Sequence, residues 1–475
     1  MSFVRYKKFG NQEYAYEVTS YWDSNLKKPR QKQKYLGVVV DKEKGIFKKK
    51  MKDQSRSAEK MILDFGDVFL LQRFMKKSGL FDFLHDFFDD RADTLLSLVC
   101  YRLCYPSAMQ YVETWYQGSF SRFLFKDARV SSQRVSDFFA YVGDEVFLRR
   151  FFQRYIPLFT NAEEGIIIDS TSLPNQIHFP FTAWGYHSGG IDKQIRFLFV
   201  IDKKNNLPLF FRYLPGNVVD VSSLRMTMDE LEQYDVDSGY VLLDAGFFSK
   251  DNIKDLYGKK VDFFTRLPAS TKLFEKLVKA EVGGLECFDH AVQYGERALY
   301  IKRKRVDLFG KTGYAYIVLD PERKGRETKK VLLNALDDEV ADKSEVAYKL
   351  LKKGVMILVS SFRMDETEVV PSYYLRQAVE RLFGFSKDDL NLLPLRVHTE
   401  ETLRGFLFLQ FISLVVFMLF KKAIGKDHTV EKVLLTMRNL KCKVYDDEVL
   451  VQELTKQQKD IIENLDIIVP KKLGV

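Results

Sequence analysis

Residues 373–387, YYLRQAVERLFGFSK, place a phenol, a guanidinium, a carboxylate and an ammonium on one face of a predicted helix. At about 100° per residue, offsets of 0, 3, 7 and 14 positions fall within an arc of about 60°. Apolar side chains occupy the neighbouring face, which is typical of a helix that packs on a core. The four polar residues are Tyr373, Arg376, Glu380 and Lys387.

Two interpretations of this polar stripe are open from its geometry. Arg376 and Glu380 lie four residues apart, so they can form an ion pair on a solvated helix face. The same groups can also belong to a functional site. The start of the helix is open as well. Pro371-Ser372 is compatible with Ser372 as the N-cap and with an earlier start and a kink at Pro371.

Two aspartates follow short buried strands upstream of this helix. Asp169 comes after Ile166-Ile167-Ile168, and Asp244 comes after the strand 240–243, YVLL. Ligand sites form at strand ends in open sheets, and the residues after each aspartate include small ones that leave space beside the carboxylate. An Asp that ends a strand and starts a turn is common. Two in one sheet favour a site.

The pattern along the chain predicts an α/β protein with four parts. Alternating strands form a small unit at the N-terminus, a helical segment follows, and strands then alternate with helices in a mixed sheet. Within that sheet an antiparallel strand pair predicts a mostly β insertion. The boundaries are a basic β-hairpin unit at 1–56, a helical domain at 57–155, a mixed-sheet domain at 160–425 with an insertion at 268–353, and a mainly helical tail at 426–475.

The net charge of +9 lies in the N-terminal unit. Residues 1–56 contain 15 Lys and Arg against 6 Asp and Glu, so the rest of the chain is neutral overall. A basic segment favours a polyanion, and nucleic acid is the commonest one in the cytosol. A solvated, charged hairpin is the alternative.

Composition excludes several other classes. Charged residues make up 29% of the chain, which argues against an integral membrane protein. The most apolar stretch, Phe406–Phe420, is shorter than the roughly 20 residues of a membrane span and predicts a buried helix. The 4 cysteines form neither a disulfide framework nor a zinc site, so a reducing cytosol is expected.

The spacing Tyr-x2-Arg-x3-Glu-x6-Lys resembles the YREK signature of insertion-sequence DDE transposases of the "IS-four" group. The first aspartate block resembles the family's D-[ST]-T stretch, and the second is similar to its second aspartate block. Ala245 departs from that pattern, because a basic residue is frequent at this position. The matching segments are Ile168-Asp169-Ser170-Thr171, Leu243-Asp244-Ala245-Gly246-Phe247, Arg396-Val397-His398 and Arg404-Gly405.

The resemblance implies that residues 160–425 form an RNase H-like catalytic core with a β-rich insertion at 268–353, preceded by a helical DNA-binding or accessory domain at 57–155. Asp169, Asp244 and Glu380 are then the catalytic residues and the ligands of two Mg²⁺ ions, which Mn²⁺ can replace. Three carboxylates suit Mg²⁺, because it prefers oxygen ligands and retains several waters. The phosphate-binding residues implied for DNA are Tyr373, Arg376 and Lys387.

The implied activity is binding of the terminal inverted repeats of an insertion sequence, followed by divalent-metal-dependent DNA cleavage and strand transfer. The expected partners are double-stranded DNA of the element ends and the target, and a second copy of the chain in the DNA complex, with no membrane. The expected location is the nucleoid in a bacterial cytoplasm. The alternatives are a nuclease without strand transfer and an inactive DNA-binding derivative. The complete Asp-Asp-Glu set argues against decay.

One departure concerns a DNA hairpin intermediate. Some relatives hold a flipped base with a tryptophan in the insertion, whereas Trp22, Trp115 and Trp184 all lie outside 268–353. A tyrosine such as Tyr294 or Tyr314 could stack on the base instead.

Overall fold

The computed structural model forms two compact units. One comprises Met1–Met61, Lys443–Val449 and Leu473–Val475, and the other comprises Ile62–Cys442 and Leu450–Lys472. The four-part division predicted from the sequence remains a prediction. The structure describes residues 2–9, 12–23, 28–42, 44–48, 59–160, 162–175, 179, 181–187, 190–218, 220–236, 238–336, 343–377, 380, 384–385, 393, 395, 397, 399–425 and 427–474.

Strands and helices alternate through the second half of the chain. The strands are β1 (Ser2–Phe9), β2 (Gln12–Asp23), β3 (Lys28–Asp41), β4 (Ile46–Lys48), β5 (Met61–Asp64), β6 (Ile166–Pro174), β7 (Ala183–His187), β8 (Gly190–Asp202), β9 (Pro208–Pro215), β10 (Tyr240–Leu243), β11 (Asp262–Arg266), β12 (Ala291–Tyr294), β13 (Arg297–Asp307), β14 (Thr312–Leu319), β15 (Val355–Ser360), β16 (Lys441–Val444), β17 (Glu448–Val451) and β18 (Lys472–Gly474). The α-helices are α1 (Gly66–Lys77), α2 (Leu80–Phe88), α3 (Ala92–Cys104), α4 (Val112–Gly118), α5 (Ser121–Leu124), α6 (Ser132–Val142), α7 (Glu145–Phe159), α8 (Asp220–Glu232), α9 (Lys250–Gly258), α10 (Lys272–Glu281), α11 (Pro321–Leu336), α12 (Lys343–Leu351), α13 (Glu366–Tyr374), α14 (Glu400–Ile424), α15 (Val430–Arg438) and α16 (Lys456–Asn464).

The N-terminal strands form an antiparallel sheet in the order β1-β2-β3-β4. The alternating strands predicted for the N-terminal unit are therefore observed, and the two longest are β2 and β3. Ala15 and Val18 are fully buried. Because side chains alternate along a strand, four exposed cations of β3 share one face of this sheet. They are Lys28, Arg30, Lys32 and Lys34.

The helices α1–α7 pack around an aromatic core, as the apolar spacing at three and four residues predicts. Phe151 of α7 is fully buried, and its ring centroid lies 4.8 Å from that of Phe408 on α14. Asp144 caps α7 by accepting a hydrogen bond from the backbone N–H of Phe147. These helices enclose α14.

The mixed sheet that follows has the order β12-β13-β14-β15-β11-β10-β6-β8-β7, with β9 also paired to β8. Strands β6, β10 and β11 are parallel neighbours, whereas the remaining pairs are antiparallel. One half of β8 pairs with β7 and the other half with β9. The parallel strands are buried along almost their whole length, which explains why they read as continuous apolar runs.

The segment 268–353 differs from the mostly β insertion predicted for it. Its strands β12, β13 and β14 extend the central sheet, because β14 pairs with β15. The charged stretch 321–330, which carries no helical apolar pattern, belongs to α11. An ion pair between Arg323 and Glu327, four residues apart at 2.7 Å, stabilises that helix. With α10 and α12, the segment contains more helix than strand.

The apolar stretch Phe406–Phe420 lies in α14, as predicted. This helix is long and apolar enough to cross a membrane, but 89% of its most apolar window is buried inside the protein. Thr399 caps it, and Arg404 donates hydrogen bonds to the Gly143 carbonyl and the Glu145 carboxylate, both at 2.7 Å. The helix is therefore the central packing element of its unit.

We expect Gly405→Ala to lower stability strongly, because α6 and α14 approach each other closely at this glycine. A Cβ atom on Gly405 would lie 2.0 Å from the Phe139 carbonyl oxygen. Relief requires the two helices to separate, at a cost of about 3 kcal/mol. The matched control is Gly118→Ala at the end of α4, where an added Cβ meets nothing within 4 Å. The melting temperature should fall strongly for Gly405→Ala and change little for Gly118→Ala. Equal melting temperatures would contradict the close packing.

Candidate active site

The two aspartates lie side by side where the parallel pairing of β6 and β10 ends. Leu243 pairs with Ile168, so Asp244 and Asp169 are the next residues in the same register. Asp169 does not end its strand, because β6 continues to Pro174 through antiparallel pairing with β8. The predicted juxtaposition of the carboxylates at one edge follows from the register of the parallel strands.

The helix with the polar stripe begins earlier than Ser372. Asp365 caps α13 by accepting a hydrogen bond from the backbone N–H of Thr367, and Pro371 lies inside the helix. The helix ends at Tyr374, and Arg376 lies two residues beyond it. The alternative with the earlier start is therefore the observed one. Lys387 lies outside the described residues, as do Arg396 and His398.

Arg376 contacts all three carboxylates. Its Nη1 lies 2.8 Å from Oδ2 of Asp169 and 3.5 Å from Oδ1 of Asp244. Its Nη2 lies 2.6 Å from Oε1 of Glu380. The guanidinium side chain is only 16% exposed, so these contacts are formed in a partly dry site. The predicted pair Arg376–Glu380 is present, but it belongs to a larger cluster around one cation.

The carboxylates differ in their surroundings. Asp169 is 9% exposed, Asp244 is 34% exposed and Glu380 is 51% exposed. Burial raises the pKa of Asp169 to about 7, although Arg376 opposes this shift. Burial lowers the pKa of Arg376, but the carboxylates of Asp169 and Asp244 outweigh it and raise the pKa above its ordinary value. Arg376 therefore stays charged in the cluster, although burial by itself favours the neutral forms of Asp169 and Arg376.

Tyr373 borders the cluster on the side of Asp244. Its hydroxyl oxygen lies 3.5 Å from Oδ1 of Asp244, and its ring packs edge-on against Phe264 of β11. Burial raises the pKa of Tyr373 to about 12, so the phenol is a hydrogen-bond donor at neutral pH. The geometry suits a donor to a phosphate oxygen or a carboxylate.

Arg266 is a neighbour that the sequence interpretation did not include. It ends β11, whose Thr265 pairs with Leu243, so it lies at the same sheet edge as Asp244. Its charge acts on the phenol of Tyr373. The sequence could have indicated this residue, because Arg266 holds in the third parallel strand the register position that Asp169 and Asp244 hold at the other two.

An aromatic pair lies next to this cluster. The ring of Tyr294, on β12, stacks on that of Tyr374 with centroids 5.5 Å apart and planes 16° apart. The Tyr374 ring is 6.1 Å from the Tyr373 ring. Of the two tyrosines considered for base stacking, the structure thus places Tyr294 beside the residues of the site.

The donor set fits a divalent cation in kind. Three carboxylates offer the hard oxygen atoms that Mg²⁺ and Mn²⁺ prefer. In this structure the three carboxylates contact Arg376 instead. Within the described part of the chain, no three His, Cys, Asp or Glu side chains are grouped closely enough to hold a metal ion. All three carboxylates contact one guanidinium, so they already surround a point that a cation occupies.

Two aspartates from parallel strands, a glutamate from the following helical segment and two arginines define a candidate phosphoryl-transfer site. The family model described as "Transposase DDE domain" matches residues 160–416. This match covers more than half of the chain and includes every residue of the cluster. The chain belongs to this family of transposases.

A search of curated proteins finds no match. Among solved structures, the chain is similar to the piggyBac transposase in a cryo-EM structure of its synaptic complex with hairpin DNA. The sequence identity is 14% and the TM-score is 0.42, and the match covers 73% of this chain and 70% of that chain.

Proposed function

We propose that this protein is an insertion-sequence transposase of the "IS-four" group, with an RNase H-like core, that cuts and rejoins DNA. Its substrates are the terminal inverted repeats of its own element and a target duplex. It acts as a homodimer on DNA, at the bacterial nucleoid. The observation that carries the proposal is the convergence of Asp169, Asp244 and Glu380 on Arg376, each within 3.5 Å of the guanidinium.

DDE transposases generally use divalent metal ions, and the proposed ligands here are the same three carboxylates. Bound Mg²⁺ or Mn²⁺ would stabilise the charge on the attacking and leaving oxygens of an in-line displacement. The chain supplies the remaining parts. Tyr373 donates to a phosphate oxygen, and Arg266 offers a cation at the same edge of the sheet.

Arg376 has two alternative partners in this proposal. Without DNA it neutralises the carboxylates, which would otherwise repel one another at close range. With DNA bound, it turns to a phosphate, where its two N–H groups can form a bidentate contact. The exchange explains how one residue can be a phosphate ligand by resemblance and yet contact carboxylates in the DNA-free protein.

The test is a cleavage assay on DNA that flanks the reading frame on each side. The full-length protein should bind these flanks in preference to unrelated duplexes, and should cut them at matching inverted repeats only when Mg²⁺ or Mn²⁺ is added. Absence of inverted repeats in the flanks, together with equal binding to all duplexes, would contradict the proposal. Cleavage without any joined product would favour the nuclease alternative.

The cationic face of β3 is proposed to bind DNA phosphates. Replacing Lys28, Arg30, Lys32 and Lys34 with Gln removes four exposed charges without removing a strand from the sheet. Each lost phosphate contact should make the slope of log K against log salt shallower by about 0.9. Binding titrations at several salt concentrations measure this slope. An unchanged slope and affinity would show that the unit is only a solvated sheet.

A further inference from the structure

The connection between β14 and β15 is much longer than the sheet requires. Leu319 pairs directly with Val355, and a hairpin between such strands needs about two to five residues. The chain instead forms α11 and α12 within residues 320–354. Neither helix contains a buried residue. Burial in the core of its own unit therefore does not account for them.

The cations of α11 fall into two groups. Two of them form ion pairs: Arg323 with Glu327 on the same helix at 2.7 Å, and Lys324 with Glu286 outside the helix at 2.5 Å. The other three, Arg326, Lys329 and Lys330, are exposed. In the part of the chain that the structure describes, no carboxylate forms an ion pair with any of these three.

The three exposed cations share one face of α11, because residues three and four apart are neighbours on a helix. They are concentrated within five residues, about one and a half turns. A compact group of exposed cations favours phosphate oxygens over an apolar partner, and the arginine can bind a phosphate in a bidentate manner.

A continuous series of contacts connects the base of α11 with the acidic cluster. Asp320 accepts a hydrogen bond from the Arg323 backbone N–H at 3.0 Å and from the Arg297 side chain at 3.1 Å. The Arg297 guanidinium lies over the Tyr294 ring, 5.3 Å from its centroid, and Tyr294 stacks on Tyr374. Each of these elements therefore holds the next in place.

The contacts in this series are all short. No link in this series is longer than the 6.1 Å between the Tyr373 and Tyr374 rings. The exposed cations begin about 8 Å along α11 and end about 14 Å along it.

We propose that the face of α11 formed by Arg326, Lys329 and Lys330 binds the phosphate backbone of the duplex DNA that is cut at the acidic cluster. The inference rests on the proposed function, because it takes DNA at that cluster as given. In this proposal, the helical connection between β14 and β15 holds the duplex beside the acidic cluster.

The test compares DNA binding by the full-length protein and by the R326Q/K329Q/K330Q variant. The probes are a labelled duplex of the DNA flanking the reading frame and an unrelated duplex of equal length. The salt slope of the variant should be shallower by about 0.9 for each lost phosphate contact, or about 2.7 for all three. Its melting temperature should be unchanged, because exposed charges contribute little to stability. The single variant K330Q should lose about one third of this effect.

The matched control, K456Q/K459Q/K471Q, removes three exposed charges from α16 and the residues after it. An equal loss of slope in this control would overturn the proposal, since net charge alone would then explain the result. Normal DNA binding by the α11 variant would also overturn the proposal. If that variant then showed reduced self-association in sedimentation, the face of α11 would instead contact a second copy of the chain. Failure of the unsubstituted protein to bind DNA would instead refute the proposed function itself.

Location can be measured as well. An iron–EDTA group attached to a K330C variant, in a background with the exposed Cys287 replaced by Ser, should cut bound DNA in one confined stretch to the side of the protein's own cleavage site. Cuts spread evenly along the duplex would contradict the proposed contact.

Discussion

Replacing any one of Asp169, Asp244 and Glu380 by the neutral amide should reduce DNA cleavage by about a thousandfold or more. Each change keeps the size of the side chain but removes a charged oxygen ligand. Metal-ion stabilisation of transition-state charge contributes several kcal/mol, and about 4 kcal/mol corresponds to a thousandfold change in rate. Because the three side chains act together, double variants should be scarcely slower than single ones.

Folding and DNA binding should survive these substitutions. Glu380 is half exposed, and Asp169 already resists ionisation because of its burial, so a neutral amide removes a burial cost at that position. Melting curves and binding titrations should therefore match those of the unsubstituted protein. Asp192→Asn, which changes an exposed aspartate on β8, is the matched control and should cleave normally. Near-normal cleavage by a folded amide variant would remove that carboxylate from the site.

Arg376→Ala should have two opposite effects, and they form the second large prediction. Without DNA, the variant should bind Mn²⁺ at least about tenfold more tightly, because the carboxylates lose their competing partner. Charge-assisted hydrogen bonds contribute about 1.5–3 kcal/mol each, and about 1.4 kcal/mol corresponds to a factor of ten. With DNA, cleavage should fall about a hundredfold, because the phosphate loses its bidentate ligand. Calorimetry measures the first effect and the cleavage assay the second.

Arg266→Ala is the control for this prediction, because it removes the same charge from the same sheet edge without removing a bridge between the carboxylates. If Arg376→Ala and Arg266→Ala gain the same affinity for Mn²⁺, loss of any nearby positive charge explains the gain. The proposed exchange of Arg376 between the carboxylates and a DNA phosphate would then be wrong. The exchange also requires that DNA and Mn²⁺ increase each other's affinity in the unsubstituted protein. This coupling should be weaker in Arg376→Ala.

The juxtaposition of the two aspartates could be predicted from the sequence because it follows from strand register. Runs of β-branched and leucine residues indicate fully buried parallel strands, and residues after such strands meet at one edge. The extension of β6 beyond Asp169 was missed. The polar residues 170–172 look like a turn, whereas pairing with β8 keeps them in the strand.

The helical nature of residues 321–330 was missed for a different reason. An exposed helix stabilised by ion pairs leaves no apolar period in the sequence. The contacts of Arg376 with the two aspartates could not be predicted from the sequence pattern either. The spacing places it on the stripe with Glu380, but only the folded chain shows that both aspartates lie within 3.5 Å of it. Long-range contacts of this kind depend on the sheet, which local spacing does not encode.

The most direct test of the proposed mechanism is strand transfer of labelled element-end DNA into a supercoiled target plasmid. The unsubstituted protein and Glu380→Gln are compared in the same assay. We expect joined products from the unsubstituted protein only when Mg²⁺ or Mn²⁺ is present. We expect none from Glu380→Gln, although it binds the same DNA and melts at the same temperature. Near-normal joining by the folded Glu380→Gln protein would contradict the three-carboxylate mechanism proposed for this transposase.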